Sequence, residues 1–314
     1  MYLKPRSHLT GALGVRRIAG LSLTSTVVGM ICPGLHSIYS GLETTIVGDD
    51  GREFWFRTTG VDERFNMTTL EAGGAGISCR ITAFERSPPI EADSMATLAS
   101  LVMPGEFAGS TVAILGGSRG LGAATAKLIA AGGGRVVITY ARGHDDAQRL
   151  RDEIRAACGA SACDIHPFDF HLPITAQMTA LPEGVTHLYY FATPLIGRQK
   201  APAYSRALFG EFVHAYVDAF AEACAALRSR CTGVLRVFYP SSVYVAERPP
   251  NMAEYAMAKA AGEVLCEELA RTDAGLRILV ARLPRVVTDQ TAAVMSREAE
   301  NAAVTMLPHI RALG

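Results

Sequence analysis

Lysine is scarce in this chain: of 30 basic side chains, only Lys4, Lys127, Lys200 and Lys259 are lysines. Net charge is missing too, since 30 acidic residues balance the 30 basic ones in 314 residues. No basic stripe or tail stands out, so nucleic acid is not an expected partner. Seven cysteines (Cys32, Cys79, Cys158, Cys163, Cys224, Cys231, Cys266) are scattered and form no Cys-x-x-Cys. That spacing offers no zinc site and indicates reduced thiols, so the expectation is no metal and a cytoplasmic protein. No apolar run reaches the ~18–20 residues that cross a bilayer, and no membrane partner is expected. Lys4, Arg6, Arg16 and Arg17 before Leu21–Cys32 faintly resemble a secretory leader. That stretch contains four Ser/Thr and a Gly, lacks a small-residue cleavage site and ends at Pro33-Gly34, so export is not expected. Internal repeats and low-complexity segments are absent as well.

What is present suits about two compact domains, with 49% hydrophobic and 19% charged residues. The pattern changes near residue 100. Before it, a helix over Leu13–Met30 is broken by Cys32-Pro33-Gly34. Strands are then expected at Leu42–Val47, Glu53–Thr59, Phe65–Leu70 and Gly76–Phe84, separated by glycine-rich turns. Ser87–Pro104, with three prolines, reads as a linker.

From Ser110 strands and helices alternate. Strands are expected at Thr111–Leu115, Arg135–Tyr140, Cys163–Phe168, Val185–Phe191, Gly233–Tyr239 and Leu276–Ala281. Helices are expected at Leu121–Ala131, Asp146–Cys158, Phe209–Arg228, Ala253–Arg271 and Ala292–Arg311. Short apolar strands between amphipathic helices indicate an α/β fold, a doubly wound parallel sheet of Rossmann type.

Strand Thr111–Leu115 runs straight into Gly116-Gly117-Ser118-Arg119-Gly120-Leu121-Gly122, within which a helix begins. Gly116 permits the turn off the strand, Gly120 a close approach of backbone to a pyrophosphate, and Gly122 tight packing of the helix. The helix N-terminus offers free N–H groups and the positive end of its dipole to phosphates. Strand Arg135–Tyr140 ends without the carboxylate that would take a ribose 2′-hydroxyl. Arg142 at its tip and Arg119 in the loop are placed to grip a 2′-phosphate instead, which favours NADP(H).

Tyr255 and Lys259 stand at i and i+4, on one face of a helix. Ten tyrosines and four lysines would give a Tyr-x-x-x-Lys by chance only about 0.13 times. An ammonium ~4 Å from the phenol, at an effective dielectric of ~20, contributes about 4 kcal/mol. The expectation is a phenol lowered by up to ~3 pKa units, towards the range of a general acid–base group. Ser242, thirteen residues upstream at a strand end, can donate to a substrate carbonyl oxygen; Ser241 is a second candidate.

Residues 111–291 resemble the short-chain dehydrogenase/reductase family, particularly the ketoacyl reductases of fatty-acid and polyketide pathways. The family's loop matches Gly116, Gly120 and Gly122, and its catalytic Ser, Tyr and Lys match Ser242, Tyr255 and Lys259. Asp169 matches the aspartate near adenine. The resemblance implies cofactor contacts from Gly116, Ser118, Arg119, Gly120, Leu121, Gly122, Arg142, Asp169, Ala192 and Lys259. It also implies Tyr255 as proton donor and association as a homodimer or homotetramer. Departures are Leu115 for the usual Thr, Phe191-Ala192-Thr193-Pro194 for Asn-Asn-Ala-Gly, and Pro284-Arg285 for Pro-Gly. No seventh strand is evident. The family's catalytic Asn is replaced by His214, either a proton relay or simply a packed helix residue.

The stretch from Val28 to Ser37, with Val61–Phe65 and Gly76–Pro88, resembles part of a MaoC-like hot-dog fold. The hydratase motif Asp-x-Asn-Pro-x-His is absent; His36 and Asp62 are either an acid–base pair or ordinary loop and strand-end residues. The expected domains are therefore 1–90, a small α+β hot-dog-like region; 91–109, a linker; and 110–314, the Rossmann domain. The expected function is an NADPH-dependent reductase of a 3-oxoacyl-type thioester, free or bound to a carrier protein. The alternatives are a dehydratase or hydratase fused to a reductase, and a catalytically quiet nucleotide-binding scaffold.

Overall fold

The computed structural model describes residues 8–48, 51, 53–63, 66–85, 93–196, 204–284, 286 and 301–314. Of these, residues up to Glu85 form one compact unit and residues from Asp93 onward a second.

In the first unit, helices α1 (His8–Leu13) and α2 (Val15–Thr26) lead into a π-helical turn at Val27–Ile31. Strands β1 (Ser37–Ile46), β2 (Trp55–Asp62), β3 (Met67–Gly74) and β4 (Ile77–Glu85) form an antiparallel sheet in the order β1-β4-β3-β2. Strand alternation decides which face is covered. Leu70 and Ala72 of β3, with Ile77, Cys79, Ile81 and Ala83 of β4, are buried against Val27 and Val28. The expected helix and strands are present with shifted ends; Phe65 lies outside the described residues. What the structure establishes here is one helical segment on one face of an antiparallel sheet.

In the second unit the stretch expected as a linker belongs to the core. Helix α3 (Met95–Ala99) is capped by Ser94, whose Oγ accepts from Thr97 N at 3.2 Å. Met95, Leu98, Val102 and Phe107 are buried. Prolines made this segment look like a spacer, but its apolar residues fall at helical spacing and find a sheet to cover. The buried Lys127 ties it down, donating to Asp93 O at 2.9 Å and Glu153 Oε1 at 2.8 Å.

The chain then runs through β5 (Thr111–Leu115), α4 (Gly120–Ala131), β6 (Arg135–Tyr140), α5 (His144–Cys158), β7 (Cys163–Pro167), α6 (Ile174–Thr179) and β8 (His187–Tyr190). Helix α7 (Arg206–Val213), a π-helical turn at His214–Asp218 and α8 (Ala219–Arg228) replace the single helix expected over Phe209–Arg228. Then come β9 (Leu235–Ser242), α9 (Tyr244–Glu247), α10 (Ala253–Thr272), β10 (Leu276–Leu283) and α11 (Ala302–Leu313). The last helix begins later than expected; Ala292, like Arg285, lies outside the described residues.

Six parallel strands stand in the order β10-β9-β8-β5-β6-β7. Alternate residues feed two cores: Val112 and Ile114 of β5 face α4 and α11, while Ala113 and Leu115 face the layer of α8 and α10. Both faces are covered, which is why the strands read as nearly unbroken apolar runs. Strand order reverses between β5 and β8, so a crevice is expected there at the carboxyl ends of the strands. Among the described residues no helix is long and apolar enough to cross a membrane.

Candidate active site

The glycine loop occupies the point where the strand order reverses. Gly116 has φ 80°, and a Cβ there would stand 2.8 Å from Ala192 N. The turn therefore needs glycine twice over, for its backbone angle and for its contact with the chain leaving β8. A Cβ on Gly122 would stand 2.5 Å from Gly116 O, so the first turn of α4 packs directly on the loop. Thr139 of β6, which sequence reasoning missed, anchors the turn. Its Oγ1 accepts from Gly116 N at 3.1 Å and its carbonyl oxygen from Gly117 N at 3.0 Å. Helix α4 has no side-chain cap, so its first amides face outward unpaired by any capping oxygen. A narrow glycine cradle ending on an uncapped helix N-terminus fits a dinucleotide pyrophosphate.

The other expected cofactor residues surround this cradle. Ser118 is half-buried in the loop, and Leu121 packs against the core under α4. Ala192 is buried beside Gly116. Arg142 is exposed two residues beyond β6. Arg119 leans on Asp146, with Nε 3.5 Å from its carboxylate, so part of its charge is already answered. Asp169 follows β7 and folds back on its own loop, where its carboxylate accepts from His171 N at 2.9 Å.

Ser242 ends β9, and Tyr255 and Lys259 lie on α10. Ser242 lies beside the Tyr255 phenol and acts to lower its pKa, while the serine Oγ accepts from Tyr244 N at 3.2 Å. Burial outweighs that effect and pushes Tyr255 up to about 12. This corrects the expected direction of shift. Lys259 Nζ lies 5.9 Å from the Tyr255 ring centre and donates to Pro240 O at 2.6 Å. Burial also pulls Lys259 down to about 7, so much of its charge is lost near neutral pH. For both groups loss of solvation on burial is the largest effect. The result is a phenol that keeps its proton at neutral pH.

Ser241 is committed elsewhere. Its Oγ donates to Glu263 Oε1 at 2.5 Å, and Arg282 grips the same carboxylate at 2.8 and 2.7 Å. Consecutive strand residues point to opposite sides, which separates the two serines. His214 opens the π-helical turn, with Nε2 2.8 Å from Phe170 O and its ring 5.8 Å from that of His171. Among the described residues it hydrogen-bonds none of Ser242, Tyr255 and Lys259. The side chain beside Lys259 is instead Tyr216, two residues on, whose phenol is bonded to Thr193 at 2.5 Å. A shift of two residues within a π-helical turn leaves no mark in the apolar periodicity, so nothing in the sequence singled out Tyr216.

The first unit keeps its two candidates apart. His36 precedes β1 and Asp62 ends β2, and these strands are the two edges of the sheet. Three strand spacings, about 14 Å, separate such positions, too far for an acid–base pair. Among the described residues no group of three or more His, Cys, Asp or Glu side chains is arranged to hold a metal ion.

Comparison with known proteins agrees with this geometry. Residues 110–302 match the family model for short chain dehydrogenases. Over 178 residues the chain is 31% identical to an uncharacterized oxidoreductase of Mycobacterium tuberculosis, covering 51% of this chain and 50% of that protein. The chain thus spans about half the length of the curated relatives it matches. A short chain dehydrogenase of Burkholderia cenocepacia J2315, solved with NADP, superposes with a TM-score of 0.61 at 22% identity, covering 67% of this chain and 92% of that one. BdcA, solved with NADPH, gives a TM-score of 0.52 at 26% identity, over 60% of this chain and 76% of that one.

Proposed function

The chain belongs to the short-chain dehydrogenase family, and on that premise we propose that it is an NADPH-dependent reductase of a carbonyl carried on an acyl thioester, of 3-oxoacyl type. The observation that carries this reading is Ser242 standing beside a buried Tyr255 phenol that stays protonated at neutral pH, one helical turn from Lys259. When bound, NADPH supplies the hydride. The glycine cradle and the first amides of α4 would hold its pyrophosphate, and Arg142 would grip the 2′-phosphate that distinguishes NADP(H) from NAD(H).

Ser242 donates to the carbonyl oxygen, which becomes more basic as it gains negative charge. Tyr255 gives that oxygen its proton, and Ser242 keeps the phenol oriented towards it. In its ammonium form Lys259 places positive charge behind the phenol and favours the phenolate left once the proton has gone. Structures solved with NADP or NADPH among proteins of like fold support the cofactor choice. A 3-oxoacyl (acyl-carrier-protein) reductase with NADP bound is one of the proteins of like fold, with a TM-score of 0.51 at 21% identity.

We further propose that the first unit is a partial hot-dog-type module without chemistry of its own, which guides the thioester. The separation of His36 from Asp62 on opposite sheet edges favours this over a dehydratase.

The test is loss of NADPH absorbance with a model 3-oxoacyl thioester. Tyr255→Phe should lower turnover by about 10²–10⁴-fold while NADPH still binds. Unchanged turnover in that variant would sink the mechanism. NADPH binding with no reduction across a panel of carbonyls would point to a quiet scaffold.

A further inference from the structure

Lys259 sits in a box of phenol rings. Its Nζ is 3.8 Å from the ring centre of Tyr216, 5.0 Å from that of Tyr239 and 5.9 Å from that of Tyr255. Tyr216 is held on three sides. Its hydroxyl shares the 2.5 Å hydrogen bond with Thr193, and its ring stacks on Phe212 with centres 5.7 Å apart. Its carbonyl oxygen accepts from the Tyr239 phenol at 3.2 Å, and the preceding carbonyl, of Ala215, accepts from the Tyr190 phenol at 2.7 Å. Both carbonyls belong to the π-helical turn at His214–Asp218. Phenols from β8 and β9 thus pin the irregular turn that presents Tyr216 to the lysine, and such turns gather at functional sites.

The charges around Nζ do not account for the ammonium that Lys259 keeps near neutral pH. On its own helix Glu263 and Cys266 favour the charged form, yet burial outweighs both. Glu263 is also shared with Arg282 of β10 and with Ser241 of β9. From the π-helical turn and β9 the facing groups are the phenols of Tyr216 and Tyr239 and the Pro240 carbonyl, all neutral. The Tyr255 phenol, on its own helix, is neutral as well. Among the described residues no carboxylate lies within ion-pair distance of Nζ. Beyond the Pro240 carbonyl oxygen at 2.6 Å, the nearest group that favours a cation is the negative face of the Tyr216 ring at 3.8 Å, well within the ~6 Å reach of cation–π attraction.

We propose that Tyr216 is a positioning residue for Lys259, its ring face holding the side chain behind Tyr255 and favouring its ammonium form. The consequence for turnover rests on the reductase reading above; the lysine's own titration does not.

The scarcity of lysine makes the test direct. Selective ¹³C labelling of lysine side chains gives signals from four residues, and Lys259→Arg removes the one from Lys259. In Tyr216→Leu its titration midpoint should fall by about one unit, whereas Tyr216→Phe, which keeps the ring, should leave it nearly unchanged. Ring-fluorinated phenylalanines at position 216 weaken the negative face with little change in volume, so they should lower the midpoint stepwise even if the leucine variant fails to fold. An equal midpoint across the fluorinated series, or in folded Tyr216→Leu, overturns the proposal. The pH profile of NADPH oxidation is a separate readout and should move with the midpoint. A moving midpoint without turnover in any variant, wild type included, supports the role of Tyr216 and defeats the reductase reading.

Discussion

A Cβ on Gly116 would stand 2.8 Å from the backbone nitrogen of Ala192, so the turn after β5 and the chain leaving β8 meet with no room for a side chain. The contact lies where the strand order reverses, and it sets the width of the cradle. Gly116→Ala adds a methyl group at φ 80° against backbone that has little freedom to yield. We expect roughly 2–4 kcal/mol of destabilisation, read as a lower thermal midpoint, together with at least tenfold weaker NADPH binding.

Arg142 and Arg119 should differ in their effect on cofactor choice. Arg142 is exposed at the tip of β6, whereas Arg119 already faces Asp146 at 3.5 Å. Arg142→Ala should raise the KM for NADPH about tenfold and leave that for NADH unchanged, because charge-assisted hydrogen bonds to phosphate are lost. Equal effects on the two cofactors would remove Arg142 from the 2′-phosphate site.

Ser242→Ala removes the hydroxyl that acts to lower the Tyr255 pKa, leaving burial unopposed. The phenol should then titrate higher than in the wild type. We expect kcat for thioester reduction to fall by about 10²-fold with NADPH affinity preserved. Ser241→Ala should instead disturb Glu263 and leave the phenol's titration where it was.

Lys259 links stability to pH. Its folded pKa, about 7, is depressed below the ordinary lysine value of 10.5, so between these values the unfolded chain binds more protons. The cost of burying the ammonium is therefore present below pH 7 and relieved as pH rises. Against Lys259→Met, the wild type should gain on the order of 2 kcal/mol between pH 7 and 9 in denaturant titrations. A pH-independent difference would show that the lysine is not buried as a depressed cation.

His214→Leu should change kcat by less than about threefold, because the ring bonds Phe170 O and not the catalytic set. A loss of 10²-fold or more would restore the proton relay to His214.

Much of this was legible in the sequence because it depends on local spacing. Strands Thr111–Leu115 and Arg135–Tyr140 appear with the expected ends, and the glycine loop lies where strand meets helix. Ser242, Tyr255 and Lys259 could be picked out because a strand end and a helical i, i+4 pair are short-range features. Residues 91–109 were misread because three prolines between residues 87 and 104 hid an apolar spacing that acquires meaning only against a sheet.

The chemical inventory was thus determined by the sequence: which hydroxyls, which amine, and a glycine loop at the head of a helix. The tertiary structure decided their electrical state. Whether Lys259 lowers the phenol or loses its own charge depends on solvent exclusion by Tyr216, Tyr239 and Phe212, which come from separate elements. The choice between Ser241 and Ser242 depends on Glu263 and Arg282, brought together only by packing α10 on β9 and β10. Desolvation is a property of everything that surrounds a group, and no local pattern along the chain carries it.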